Sequence, residues 1–133
     1  MRACIRNILQ ITAILLVMAG CGEREVSFSK DVFPILRANC VECHSGAGEG
    51  VVVSGLNLED YGGLRQGTRF GPVIVAGDST SSTLYRAVSH QVDLKIQMPP
   101  HHKEALPAGR KSALTEEQII IIRNWIDQGA INN

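Results

Sequence analysis

Cys40-Val41-Glu42-Cys43-His44 sets two thiols three positions apart, with an imidazole directly behind the second. This is C-x-x-C-H, the attachment signature of a c-type haem. Each thiol adds across one vinyl group of the porphyrin to form a thioether. Two intervening residues let the backbone offer both sulfurs to neighbouring vinyls. The next residue then lies under the iron, where an imidazole nitrogen binds it. The spacing nominates Cys40 and Cys43 as covalent anchors of one haem c and His44 as the proximal iron ligand.

Three other chemistries use paired cysteines. A thioredoxin-like redox pair opens a helix inside a β-α-β pattern, and the sequence carries no such pattern. A closed zinc site needs four ligands and would have to borrow from His90, His101 and His102, which stand in no recognisable finger spacing. A disulfide between Cys40 and Cys43 would close a small, strained ring.

Downstream, Gln97-Met98-Pro99-Pro100 supplies a candidate for the opposite face of the iron. Two prolines fix the backbone and remove two amide donors, so the segment reads as a stiff loop able to present a thioether. Methionine with histidine raises the reduction potential of a haem. Met1 and Met18 are the other methionines, both near the start of the chain. The competing sixth ligands are His90, His101 and His102, any of which would give a bis-histidine haem.

Upstream, the first twenty residues read as a targeting segment. Arg2 and Arg6 form a positive start, and Ile8 to Ala19 is mostly apolar. That run is shorter than the roughly 20 apolar residues a membrane-spanning helix needs, and it has the length of a secretory core. Met18-Ala19-Gly20-Cys21 resembles a bacterial lipobox, with Met18 where leucine is more usual. Cleavage before Cys21 would leave that cysteine as a lipidated N-terminus. The expected organisation is a signal peptide over 1–20, a linker over 21–27 and one domain over 28–130. Cleavage removes Cys4, and lipidation occupies Cys21, so Cys40 and Cys43 are the thiols that remain. Export agrees with the motif, because haem c is attached outside the bacterial cytoplasm.

Composition narrows the partners. With 13 basic and 13 acidic residues and no basic stripe, the chain lacks the footprint of a nucleic-acid binder. Only 5% of residues are aromatic, which limits the core a chain of this size can bury; a flat apolar prosthetic group would add to it. The basic stretch between Pro100 and Ala113 holds His101, His102, Lys103, Arg110 and Lys111. It reads as a solvated loop or, more sharply, as a docking patch for an acidic redox partner.

The periodicity is helical. Asp31 to Asn39 reads as a short amphipathic helix capped by Ser29 or Asp31, with Pro34 in its first turn. Ser45 to Gly55 reads as a glycine-rich loop, Glu59 to Leu64 as a single turn and Thr68 to Gly77 as extended chain. Thr80 to Ser89 repeats Leu84, Tyr85 and Val88 at helical spacing, with Ser81 or a nearby hydroxyl as its cap. The final helix is marked by the capping box Thr115-Glu116-Glu117-Gln118, a staple between Leu114 and Ile119, and a stop at Gly129. Ile119, Ile122 and Ile126 share one face, and Trp125 reads as core beside a phenylalanine of the first helix.

Taken in order, Phe33-Pro34-Ile35-Leu36, the haem motif, Gly55-Leu56-Asn57-Leu58, Val75-Ala76-Gly77-Asp78, Ser82 to Val88, Met98-Pro99-Pro100 and Gln118 to Gly129 resemble a class I cytochrome c domain. More narrowly, they resemble the planctomycete type, over roughly residues 28–130. The resemblance implies an all-α fold in which N- and C-terminal helices pack around one covalently attached haem. It also implies Cys40, Cys43 and His44 as haem ligands and Met98 as the distal one. The stretch from His101 to Ala113 is longer than the link usual in that family. The function expected is electron transfer, not enzymatic turnover. Redox partner proteins, and a membrane reached through the lipid anchor on the periplasmic side, are the expected partners. The rival is a haem sensor or small haem enzyme with a displaceable sixth ligand.

Overall fold

The structure, a computed structural model, describes residues 23–101 and 112–133. The proposed signal peptide, Cys21, His102 and the basic stretch over 102–111 lie outside the described residues. Among those described, the regular elements are helices, with one isolated bridge between Thr68 and Gly71.

A π-helical turn over Phe28–Val32 leads directly into helix α1, Phe33–Asn39. The cap is Ser27, two residues before the expected Ser29: its hydroxyl accepts from Lys30 N at 3.3 Å. Ser29 instead donates its hydroxyl to the Asn133 carbonyl at 2.8 Å. Asp31 turns back to accept from Ser27 N at 2.8 Å and from Arg24 at 2.7 Å. Pro34 sits at the start of α1, where its missing amide leaves no intrahelical bond unmade.

Helix α2, Glu49–Ser54, occupies what the sequence reads as loop. Gly55 closes it in the left-handed region, at φ 79°, a conformation glycine enters without a Cβ penalty. Helix α3, Tyr61–Gln66, is capped by Asp60, which accepts from Gly63 N at 2.7 Å. Helix α4, Thr83–Val88, follows Ser82, whose hydroxyl bonds Val75 and Asp78 instead of capping. A 3-10 turn over Leu94–Ile96 leads to Met98. Helix α5, Glu116–Asp127, carries the expected capping box, with Gln118 N reaching Thr115 Oγ1 at 3.2 Å and Thr115 N reaching Gln118 Oε1 at 3.0 Å.

The core lies where α5 crosses the π-turn and packs on α4. Val32, Leu36, Leu64, Val88, Ile122, Trp125 and Ile126 are fully buried. Each such aliphatic side chain contributes roughly 1.5–3 kcal/mol relative to exposure. An aromatic knot ties the ends to the middle. Phe28 meets Trp125 at 5.4 Å, Tyr61 edge-on at 5.1 Å and Phe33 at 5.8 Å. The polar tips find partners as well: Tyr61 donates to the Ala130 carbonyl at 2.8 Å and Trp125 to that of Ile131 at 2.9 Å. Trp125 is thus core, against the first helical segment. α1 runs from this knot into Cys40.

Candidate functional site

The two cysteines and the histidine sit on a single turn. The Cys40 carbonyl accepts from Cys43 N at 3.1 Å and from His44 N at 3.0 Å. Cys40 is buried, as is His44, while Cys43 is half-buried. Burial pushes the Cys40 thiol up to about 11, with Cys43 beside it adding to the effect. Among the described residues, no three of His, Cys, Asp or Glu converge as a metal cage.

The His44 ring is held on two sides. Its Nδ1 lies 3.1 Å from the Leu56 carbonyl. A carbonyl can only accept, so Nδ1 carries the proton and Nε2 keeps its lone pair for a metal. A hydrogen bond of this kind fixes the tautomer and orientation of a histidine that binds a metal. Leu58 N, bonded to the His44 carbonyl at 2.7 Å, holds the same strand of chain in place.

Gly50 supplies the second side. A Cβ built there would stand 2.6–2.7 Å from Cε1, Nδ1 and Nε2 of His44, closer than any side chain tolerates. The imidazole face therefore rests on a bare backbone. A Cβ at Gly48 would likewise strike the Cys43 carbonyl. Gly48 and Gly50 of the run Ser45 to Gly55 are thus the positions at which the chain packs on the motif. Gly50 and the Leu56 carbonyl are the two site groups that the motif alone does not reveal; the glycine run was the available signal.

Met98 is half-buried, and its N donates to the Ala87 carbonyl at 3.1 Å, which fastens the Met-Pro-Pro segment to the end of α4. Gln97, buried beside it, donates to the Val92 carbonyl at 3.1 Å. The two rings of His90 and His101 stack at 4.3 Å, and His101 Nδ1 meets the Pro99 carbonyl at 2.8 Å. His90 stands at φ 62°, a region where histidine is enriched among non-glycine residues. Its Nε2 is buried without a hydrogen-bond partner among the described residues. Leaving such a nitrogen unsatisfied costs roughly 1–3 kcal/mol. Burial, and then the neighbouring His101, hold His90 below the ordinary histidine range.

Several large apolar side chains are exposed on the segments that carry these residues. Val52 and Val53 on α2, beside Gly50, are exposed, and so are Leu94 and Ile96 ahead of Met98. Phe70 is 83% exposed. The two described surface cavities lie elsewhere, one lined by Ser79, Arg123 and Asp127 and one by Phe33, Tyr61 and Asn132. Cys40, Cys43 and His44, brought onto one turn with Nε2 of His44 left free by the Leu56 bond, are the groups that a covalently tethered macrocycle would use.

In a comparison with models of protein families, residues 40–102 match the one described as planctomycete cytochrome C. Searches of the curated proteins and of the solved structures find no match.

Proposed function

Since the chain carries a planctomycete cytochrome c domain over residues 40–102, we propose that it is a single-haem electron carrier with His44 and Met98 as axial ligands. The observation that carries this reading is the Leu56 carbonyl fixing Nδ1–H of His44, which leaves Nε2 as the ligand nitrogen. Haem c supplies an iron that cycles between Fe(II) and Fe(III). The chain's own residues bind and orient. Cys40 and Cys43 anchor the ring through thioethers. His44, pressed between Leu56 and Gly50, offers one fixed nitrogen. Met98, pinned through its amide to Ala87, would supply the thioether ligand. With His44 and Met98 both bound, the iron would have no open position for a substrate, and the role would be electron transfer and not turnover. A rigid ligand set keeps the rearrangement on electron transfer small.

We further propose export, lipidation at Cys21 and attachment to the periplasmic side of a membrane, on the strength of the lipobox-like run ahead of Cys21. Among the described residues no helix is long and apolar enough to cross a membrane. Lipid at Cys21 would keep the carrier beside membrane-bound redox partners.

The decisive experiment is maturation in an exporting host that attaches haem c, followed by denaturing electrophoresis with haem staining. Native protein is expected to stain and Cys40→Ala/Cys43→Ala to lose the stain. Unstained native protein would overturn the carrier reading. The mass of the same sample reports lipid at Cys21. Rapid binding of carbon monoxide by the ferrous native protein would favour a sensor with an open sixth position.

A further inference from the structure

Two backbone amides from different parts of the chain converge on one acceptor. The Ala87 carbonyl receives His90 N at 3.4 Å and Met98 N at 3.1 Å. The backbones of His90 and Met98 therefore lie side by side, although the chain travels out through the 3-10 turn and back between them. Gln97 tightens the same knot, with its side-chain amide 3.5 Å from the His90 carbonyl. His101, from the far side of the Met-Pro-Pro segment, stacks on the His90 ring.

Within this knot the two imidazoles differ. His101 has its Nδ1 engaged by the Pro99 carbonyl. His90 has a buried Nε2 with no hydrogen-bond partner among the described residues. Buried polar atoms are almost always satisfied, and an exception calls for a ligand or a function. An imidazole nitrogen with a free lone pair is a strong iron donor, and this one shares its anchoring carbonyl with the candidate axial methionine.

We propose that His90 is the reserve ligand of the haem iron, its Nε2 taking the sixth position whenever the Met98 thioether leaves it. The proposal rests on the carrier reading above. The exchange is a ligand substitution: the iron–sulfur bond breaks, an iron–nitrogen bond forms, and the iron keeps its oxidation state. Binding through Nε2 requires the neutral imidazole to carry its proton on Nδ1. Exchange of a thioether for an imidazole lowers the reduction potential. The chain would thus hold two settings of potential in one loop, selected by which of two neighbouring side chains meets the metal.

The test compares ferric holoproteins by optical and paramagnetic resonance spectra. Native protein and His90→Gln are expected to show the methionine–iron charge-transfer band. Met98→Ala is expected to lose that band yet stay low-spin, with a bis-imidazole signal and a lower potential. Met98→Ala/His90→Gln is expected to turn high-spin. A high-spin Met98→Ala protein overturns the proposal, and so does a double variant that stays low-spin. A native protein that is already bis-imidazole through His90 overturns it too, since His90 would then be the first ligand.

Met98 is the sole methionine after Met18, so chloramine-T oxidation of its thioether gives a second route if the double variant does not fold. Oxidised native protein should become bis-imidazole and oxidised His90→Gln high-spin; identical spectra from the two overturn the proposal. The pyridine haemochrome of each sample separates the two readings. A chain without covalent haem sinks the carrier reading and this one with it. Covalent haem with no dependence on His90 sinks this one alone.

Discussion

At His44 the choice of ring nitrogen is made by Leu56, twelve positions along the chain. The motif Cys40 to His44 is legible in the sequence because its chemistry is local: three reactive groups within one turn. The Leu56 carbonyl and the Gly50 cradle are not legible, because neither is a side chain with chemistry of its own. Gly50 contributes only the absence of a Cβ, and that matters solely because the chain folds back over the imidazole. Gly50→Ala should therefore displace the His44 ring. Forcing an extra methyl group into a packed site costs typically about 1–3 kcal/mol. Thermal melts of the holoprotein should report a loss of that size, and the ferric spectrum should shift with it. Gly46, where a Cβ would meet no atom within 4 Å, is the control for helix-loop composition, although its φ of 50° adds backbone strain to an alanine there.

Helix α5 and helix α2 mark the limits of reading elements from sequence. The α5 capping box is four consecutive residues acting on one another, and it forms as the sequence predicts. Thr115→Ala should destabilise the protein by about 1 kcal/mol, read as a lower midpoint in urea with an unchanged slope. A shift within error would show that α5 is held by Ile122, Trp125 and Ile126 alone. α2 is the opposite case. Glycines and β-branched valines give it poor intrinsic helicity, so the sequence reads as loop. The helix stands on outside contacts instead: Arg69 Nη2 donates to the Val52 carbonyl at 2.7 Å, Arg69 N to that of Ser54 at 2.9 Å, and Gly50 N donates to the Cys43 carbonyl at 2.9 Å. The first cap was misplaced for a similar reason. Ser29 bonds Asn133, a partner more than a hundred positions away.

Over the whole molecule, the match to the planctomycete cytochrome C family spans residues 40–102, whereas the packing that closes the fold comes from its flanks. Phe28, Phe33 and Trp125 all lie outside that stretch, and Asn133 clasps the start of the domain by accepting from Phe28 N at 2.7 Å and Ser29 N at 3.0 Å. Two carboxylates give the fold an acid limit. Arg24, and then the Ser27 amide, hold Asp31 below its ordinary 3.8. Ser81 and Thr80 hold Asp78 down to about 2. In both cases the unfolded chain takes up protons first, so the stabilisation is full above pH 3.8 and is lost as pH falls through the folded values. The melting temperature should fall with acid over that window, and Asp31→Asn should flatten its upper part. A profile that Asp31→Asn leaves unchanged would show that the Arg24 pair, exposed on the arginine side, contributes nothing measurable. The burial of Cys40 adds a matter of timing. Its thiol lies in the same core as Trp125 and Ile126 of α5. Once α5 docks, a macrocycle arriving from outside meets one anchor half in the open and the other under cover. A haem joined at Cys40 would therefore couple faster to the unfolded chain than to the folded one, the order of events being set by the closing of the core and not by the reactivity of the thiol.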